Sequence, residues 1–484
     1  MNKHLILCIV CVCFLLVFTQ KGVYGTEISG NIVDQVWNVD DSPVRVTGDL
    51  YVASLTIMPG VMVEFTGNYR VTVNGVLRVA GTTESPVILR PARNIESWKG
   101  IYFEKTIPGS EFEWCHFVGA QETAVRLIQS NPTFQNCTFN KNKSPDYGGA
   151  IYANLTDGDL VVTDCKFEEN HAQIGGGAIC AVLERGTIFA ENCTFTENVA
   201  NPDYQTHHSS GGAVWIDGNS SFCRSTFNSN QVHTYTIYAA AGIYATGGAL
   251  STGRGHCEIA ACTFIGNSCE MTAHQSTPDT SFAFGGAVRL YSGSMMLQNC
   301  VLAENNLSAQ RRRIYKGSAL SVNEGDCLIM NSTFASNSGH SAIHNDAGRI
   351  CLINSILYLN YDHVTQISGP VTVSYSDIQG GFDGVGVIDS NPIFDSDYRI
   401  LPGSPAIDAG HPDSEYNDTH FPPSLGGDRN DMGYLVLQRY KGSSKPKRLA
   451  DDTPVNDHFS GGYRHGRQND YENQTGIDSI PAPV

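Results

Sequence analysis

The sequence predicts an all-β chain wound as a single-stranded right-handed parallel β-helix, a solenoid with an N-terminal cap and a disordered C-terminal tail. Three observations predict it. Two short motifs alternate through the middle of the chain in a constant order, with a period of 22 to 28 residues where it is shortest. The composition is rich in Val, Ile, Thr, Phe, Tyr and turn-forming glycine, with 49 Gly among 484 residues, which favours strands and turns. No segment beyond the first 25 residues sustains a 3.6-residue apolar period, so almost no helix is expected.

The first motif is Cys-x-Phe followed three residues later by Asn. It reads Cys137-Thr-Phe139 with Asn142, Cys165-Lys-Phe167 with Asn170, Cys193-Thr-Phe195 with Asn198, and Cys262-Thr-Phe264 with Asn267. Variants are Ser225-Thr-Phe227 with Asn230, Cys300-Val-Leu302 with Asn305 and Ser332-Thr-Phe334 with Asn337. Fainter copies flank these at Cys115-His-Phe117 and Ser355-Ile356. The second motif is Gly-Gly-Ala-aliphatic, at Gly148–Ile151, Gly176–Ile179, Gly211–Val214, Gly247–Leu250 and Gly285–Val288. It decays to Gly317-Ser-Ala-Leu320 and His340-Ser-Ala-Ile343.

Cys115 lies 22 residues before Cys137, and the next two steps are 28 each. A unit that short holds two or three strands and cannot bury its own apolar face, so it must stack on its neighbours. Cys and Phe at i and i+2 share one side of a strand and are expected to line the lumen. The recurrent Asn is expected at a corner, bonding backbone groups and the Asn one coil away, as stacked amides do. Gly-Gly gives permissive backbone for the next bend, and Ala fits where the coil is narrow. These repeated residues therefore read as structural. The twelve cysteines from Cys115 to Cys351 read chiefly as a buried thiol row. Disulfides are the alternative, with Cys257, Cys262 and Cys269 the best candidates. No CxxC or His-Cys cluster points to zinc.

The ends set the domain limits. Residues 1–25 read as a signal peptide: Lys3 and His4, the apolar run Leu5 to Phe18, and Val23-Tyr24-Gly25 before Thr26. A membrane anchor is the competing reading, but this run falls short of the roughly 20 residues a spanning helix needs. A lipoprotein fits less well, since Cys8, Cys11 and Cys13 sit inside the apolar run. The mature chain is expected to be secreted, or held at the outer cell surface, with no transmembrane segment. Residues 26–104 read as the cap and first coils, from the alternation in Tyr51–Ile57 and Tyr69–Leu77. Residues 105–435 hold the repeats and a closing segment. Residues 436–484 read as a disordered tail, because Gly, Ser, Lys, Asp, Asn and Pro dominate from Arg439 onward. The formal charge is −17. The tail carries six Lys/Arg and six Asp/Glu from Lys441, so the excess is in the folded part. Such acidity argues against a nucleic-acid partner.

Leu55-Thr-Ile-Met-Pro-Gly-Val-Met-Val-Glu-Phe65, Val73-Asn-Gly-Val-Leu77 and Trp98-Lys-Gly-Ile101 resemble the opening of bacterial secreted right-handed parallel β-helix proteins of pectate-lyase-like fold. The Gly-Gly-Ala and Phe-x-x-Asn repeats are similar to those of polymorphic outer-membrane proteins. Asn391-Pro-Ile-Phe394, Asp397 to Gly410 and Gly427 to Gly433 resemble the segment that closes many bacterial β-helices. The resemblance spans about residues 26 to 435. It implies the fold. It does not choose an activity, because such helices include lyases, hydrolases, epimerases and adhesins.

Function is expected where the repeat fails. Six residues separate Asn142 from Gly148 and Asn170 from Gly176; the spacing grows to 13, 17 and 18 at Asn198, Asn230 and Asn267, then falls to 12 and 3. These stretches all leave one corner, so they should stack into a wall or cleft over the central coils. They carry Tyr204, His207, His208, His233, Tyr235, Tyr238, Tyr244, His274, Phe282, Phe284, Arg311, Arg312, Arg313 and Tyr315. Aromatic faces stack on sugars, while His and Arg bind hydroxyls and carboxylates, so a polysaccharide or surface glycan is the expected partner. Packing of the aromatics onto the scaffold is the alternative for each residue.

Catalysis by a polysaccharide lyase or glycoside hydrolase is the second functional reading. β-Elimination needs a base and a positive group for the carboxylate, for which His207, His233 and Arg311–Arg313 qualify. Hydrolysis needs paired carboxylates, for which Asp203, Asp217, Glu270 and Asp279 lie nearby. Neither forms a compact signature. No cofactor is expected; calcium suits an acidic chain, but no carboxylates stack at one offset on neighbouring coils. Asp389, Asp395, Asp397 and Asp408 gather near the C-terminus and read first as turn and cap residues.

Overall fold

Each coil is shaped by two residues that the chain forces into left-handed backbone. One precedes the Cys of the first motif and the other precedes its Asn. In the computed structural model, Asn136 and Lys141 have φ of 53° and 55°, Asp164 and Glu169 have 55° and 52°, and Asn192 and Glu197 both have 53°. Between each pair runs a three-residue strand, such as Lys166–Glu168 or Thr194–Thr196. Two sharp corners five residues apart in sequence make this the narrow face of a three-sided coil. Asn is among the residues that tolerate this conformation best, which accounts for Asn136, Asn192, Asn299, Asn331 and Asn354 before the Cys or Ser.

The structure describes residues 25–200, 208–236, 243–273, 281–309, 313–360, 365–413, 416 and 429–434. Its secondary structure there is strand, apart from one short 3-10 turn at Val39–Asp41. Strands pair in parallel with the strand one coil away. On the first face Ile151 faces Ile179, Val214, Leu250, Val288, Leu320 and Ile343 in succession. On the second, Ile188 leads through Ser220, Cys257, Met295 and Cys327 to Ile350. On the third, Phe139 faces Phe167, Phe195, Phe227 and Phe264. The result is a right-handed parallel β-helix. Winding begins at once, with Glu27–Ile32 already paired to the long strand Val44–Ile57.

The lumen is filled by rows. The phenylalanines from Phe117 to Phe264 stack with centroids 4.5 to 4.9 Å apart and planes within 5°. The cysteine row runs beside them, continued by Ser225, Ser332, Ser355 and Ser376. The thiols of Cys137, Cys193 and Cys300 donate to the carbonyls of Phe112, Val162 and Ile259 at 3.4 to 3.5 Å. All twelve cysteines from Cys115 to Cys351 are free thiols. The three disulfide candidates occupy separate places: Cys262 in this row, Cys257 on the second face, and Cys269 outside the lumen.

The asparagines form the expected ladder. Asn142 donates from Nδ2 to Oδ1 of Asn170, and the same contact recurs through Asn198, Asn230, Asn267, Asn305 and Asn337 to Asn360, at 2.8 to 3.0 Å. Asn360 ends the series by donating to Gln366. The second glycine of each Gly-Gly pair has a different duty from the bend that the sequence suggested. A Cβ on Gly177 would stand 2.2 Å from the carbonyl oxygen of Gly212 and 2.6 Å from the amide nitrogen of Val199. Here the chain returning to one coil passes against the chain that leaves the next.

Of the C-terminal segment, the described residues 391–413, 416 and 429–434 pack on the outside of the last coils. Ile400, Ala406 and Met432 cover Ile356, and Tyr416 covers Leu328, Met330 and Ile353. Asn430 accepts from Asn331 and Asn354. Of the signal peptide expected at residues 1–25, residues 1–24 fall outside the described residues, as does the tail expected at 436–484.

Candidate functional site

The excursions between the ladder Asn and Gly-Gly-Ala were expected as variable loops. They are strands. The outgoing segments Lys143–Ser144, His171–Ala172, Val199–Ala200, Gln231–Thr236, Ser268–Ala273 and Asn306–Ala309 form one parallel sheet. The returning segments His208–Ser210, Ile243–Thr246, Ser281–Phe284 and Arg313–Lys316 form another. Alternation turns every second residue of each sheet toward the other. Ala200, Val232, Ala245, Cys269, Met271, Ala283 and Leu307 thereby make a small apolar core of their own, with Tyr315 packed against it. Of the wall and the cleft that the sequence allowed, this is a wall.

The wall separates the residues singled out from sequence. His208 lies on the outer face of the returning sheet, in register with Tyr244, Phe282 and Ile314. His233 lies on the opposite face of the wall, on the outgoing sheet, in register with Glu270 and Ser308. Tyr315 lies between the sheets, as the packing alternative would have it. Tyr235 and Arg313 are strand residues of the outgoing and returning sheets. Tyr204, His207, Tyr238, His274, Arg311 and Arg312, with Asp203 and Asp279, lie outside the described residues. The strip formed by His208, Tyr244 and Phe282 has centroids 4.7 and 4.5 Å apart, the last two rings stacked nearly parallel at 5°. Rings stacked on one another offer a ligand their edges and the outer end of the stack.

Of the acids considered for hydrolysis, Glu270 lies on the outgoing sheet beside His233, and Asp217 is engaged elsewhere. Asp217 accepts two hydrogen bonds from the Arg254 guanidinium, at 3.1 and 2.5 Å. Against the effect of burial, those bonds hold its carboxyl below the usual range, which suits a structural ion pair better than a proton donor. Asp395 accepts from the backbone of Asp397 and Arg399 and, with Asp397, pairs the Arg399 side chain. That is the turn role expected for it. Among the described residues, no three His, Cys, Asp or Glu side chains are grouped to hold a metal ion.

A second cluster was not singled out from sequence. It lies where the returning sheet meets the first face of the helix, at the last strand of the wall. The residue after Gly-Gly-Ala-aliphatic points out of the coil, and along the helix that position reads Tyr152, Cys180, Trp215, Ser251, Arg289, Ser321 and His344. Arg289 is only 6% exposed. Its guanidinium lies 4.3 Å from the ring centre of Phe284 and 5.6 Å from that of Tyr291. Lys316 Nζ lies 5.3 Å from the same Phe284 ring. Asp346 pairs with Lys316 and with Nε2 of His344, the latter at 3.1 Å. His340 stands 5.8 Å from His344, ring to ring. Burial, then the neighbouring His344 and Lys316, push the His340 pKa down. Burial works against the Asp346 carboxylate, but its bonds to His344 and Lys316 hold it at about 2.

The signal for this cluster was present. The position after the second motif does not repeat, although the motif does, and a charged residue there must lie on the outer surface beside the wall.

The comparisons agree with this architecture. Residues 100–306 match the family described as right handed beta helix region, a span that takes in most of the wall. No curated protein matches the chain. The chain is thus a right-handed β-helix repeat protein by structure and by the motif content of its central coils.

Proposed function

We propose that this protein is a secreted or surface-held β-helix that binds an extracellular glycan through the wall over its central coils. One observation carries the reading. The wall has an apolar core of its own, from Ala200 to Leu307, and among the described residues that core is built by the lengthened excursions. An elaboration that the helix does not need for its own packing is the part to which function is best assigned. Its outer strip offers half-exposed aromatic edges beside His208 and next to the cationic cluster at its foot, a mixture suited to sugars bearing hydroxyl and acidic groups. The apolar opening of the chain, Leu5 to Phe18, supports export.

The test is retention on immobilised acidic and neutral polysaccharides, comparing the protein with Tyr244→Ser and Phe282→Ser. The expected result is retention on an acidic polymer that both changes weaken, with little change in melting temperature. Failure to bind any polymer of a broad panel sinks the reading. Release of unsaturated products or new reducing ends would replace it with the lyase or hydrolase reading.

A further inference from the structure

We infer that the foot of the wall is a carboxylate-binding pocket, built on Arg289 and Lys316, that takes the acid group of a uronic sugar. This deepens the glycan reading and rests on it. The first support is an unpaired charge. Nη1 of Arg289 is buried and has no hydrogen-bond partner, and no carboxylate among the described residues forms an ion pair with this guanidinium. Two half-buried cations of the described residues are by contrast paired, Arg70 with Glu122 and Lys316 with Asp346. A buried cation without a counter-ion is costly to the fold. Burial accordingly pulls the Arg289 pKa down to about 10, only partly opposed by Asp346.

The second support is the surrounding chemistry. Arg289 and Lys316 set two cations against the single carboxylate of Asp346, within a chain of net charge −17. His344 brings a further buried ring nitrogen, Nδ1, that lacks a partner. Phe284 and Tyr291 flank the guanidinium, leaving the edge of the planar fork for a ligand. A carboxylate matches that edge with two parallel hydrogen bonds. Tyr291, 39% exposed, and the Lys316 side chain, 26% exposed, open the place to solvent. The stacked strip of Tyr244 and Phe282 leads toward it along the returning sheet.

The experiment uses the full chain with methyl glucuronoside, its methyl ester and inorganic sulfate, followed by saturation-transfer NMR and titration. The acid is expected to bind and the neutral ester not. Arg289→Met should weaken the acid by roughly tenfold or more, the loss of a charge-assisted bond, while holding or raising the melting temperature. Should Arg289→Met fail to fold, the wild-type melting temperature still decides: the acid should raise it and the ester should not. Equal binding of acid and ester, full affinity in Arg289→Met, or sulfate bound in preference to the acid would each overturn the pocket. Polymer retention lost in Tyr244→Ser and Phe282→Ser, but kept in Arg289→Met, sinks the pocket and leaves the wall reading intact. The reverse pattern sinks the wall reading and leaves the pocket.

Discussion

Asn170 donates from Nδ2 to Oδ1 of Asn198 at 3.0 Å, and the same oxygen accepts the backbone N–H of Asn170, also at 3.0 Å. One amide thus closes the corner of the preceding coil. Asn198 in turn donates to the Phe167 carbonyl at 2.8 Å and to Asn230. Both residues are fully buried. Asn198→Ala would strand donors and acceptors that water cannot reach. We expect a loss of about 3 kcal/mol or more, read as a lowered midpoint in urea. Asn198→Asp keeps the acceptors, removes both donors and adds a buried charge, so it should cost at least as much.

The thiol row should be chemically silent in the native protein. Burial raises the pKa of Cys115, Cys165 and Cys262 well above the ordinary thiol range, and that of Cys257 and Cys300 to about 12. The thiolate is the reactive form. Between Cys115 and Cys351, only Cys223 and Cys351 are other than buried. Alkylation mapped by mass spectrometry near neutral pH should mark those two alone, slowly, and reach the other ten only in denaturant. Fast labelling of Cys165 or Cys262 in the native state would contradict the packing. Serine already stands in this row at Ser225, with its hydroxyl donating to the Cys223 carbonyl at 3.0 Å. Cys193→Ser should therefore cost no more than about 1.5 kcal/mol.

Asp377 gives a pH dependence of unusual sign. It is fully buried, its Oδ1 accepts the Ser390 N–H at 3.0 Å, and its Oδ2 has no partner. Burial raises its pKa to about 6. An acid whose folded pKa lies above its unfolded value binds a proton more readily when folded. Its protonated form therefore favours folding at low pH, and this contribution is lost as pH rises from about 4 to about 6. Asp377→Asn keeps the acceptor without the charge. It should stabilise the protein by about 2 kcal/mol at pH 7.5 and by little at pH 4. An equal effect at both pH values would refute the assignment.

Much of the helix was legible because solenoid packing is written in repeats. Phe167 meets Phe195, and Asn170 meets Asn198, because both steps are the same number of residues. The fold, the lumenal rows and the amide ladder all follow from that equality. The corners were less legible. Lys141, Glu169, Glu197 and Ser229 share a left-handed backbone but no side-chain type, so no residue pattern marks them. The wall was placed correctly but its construction was not seen. Its strands alternate over only a few residues, and their partners lie a whole coil away, as Val232 and Cys269 do. The cluster at the foot was missed for a different reason. Arg289 directly follows a repeated motif, and its neighbours come from the next two coils, Lys316 from one and His340 and His344 from the other, which only the fold brings together.

The glycine neck at the base of the wall has a consequence for how such a protein can change. Where Gly177 passes Val199 and Gly212, the chain returning to one coil is pinned at backbone contact against the chain that leaves and re-enters the next. The base of each excursion is therefore fixed by the next coil, whatever lies beyond it. Residues can be added to or removed from an excursion without altering the phase of the coils above and below. Scaffold and surface are in this sense separately editable, and the tips of the excursions are the natural places to graft foreign sequence.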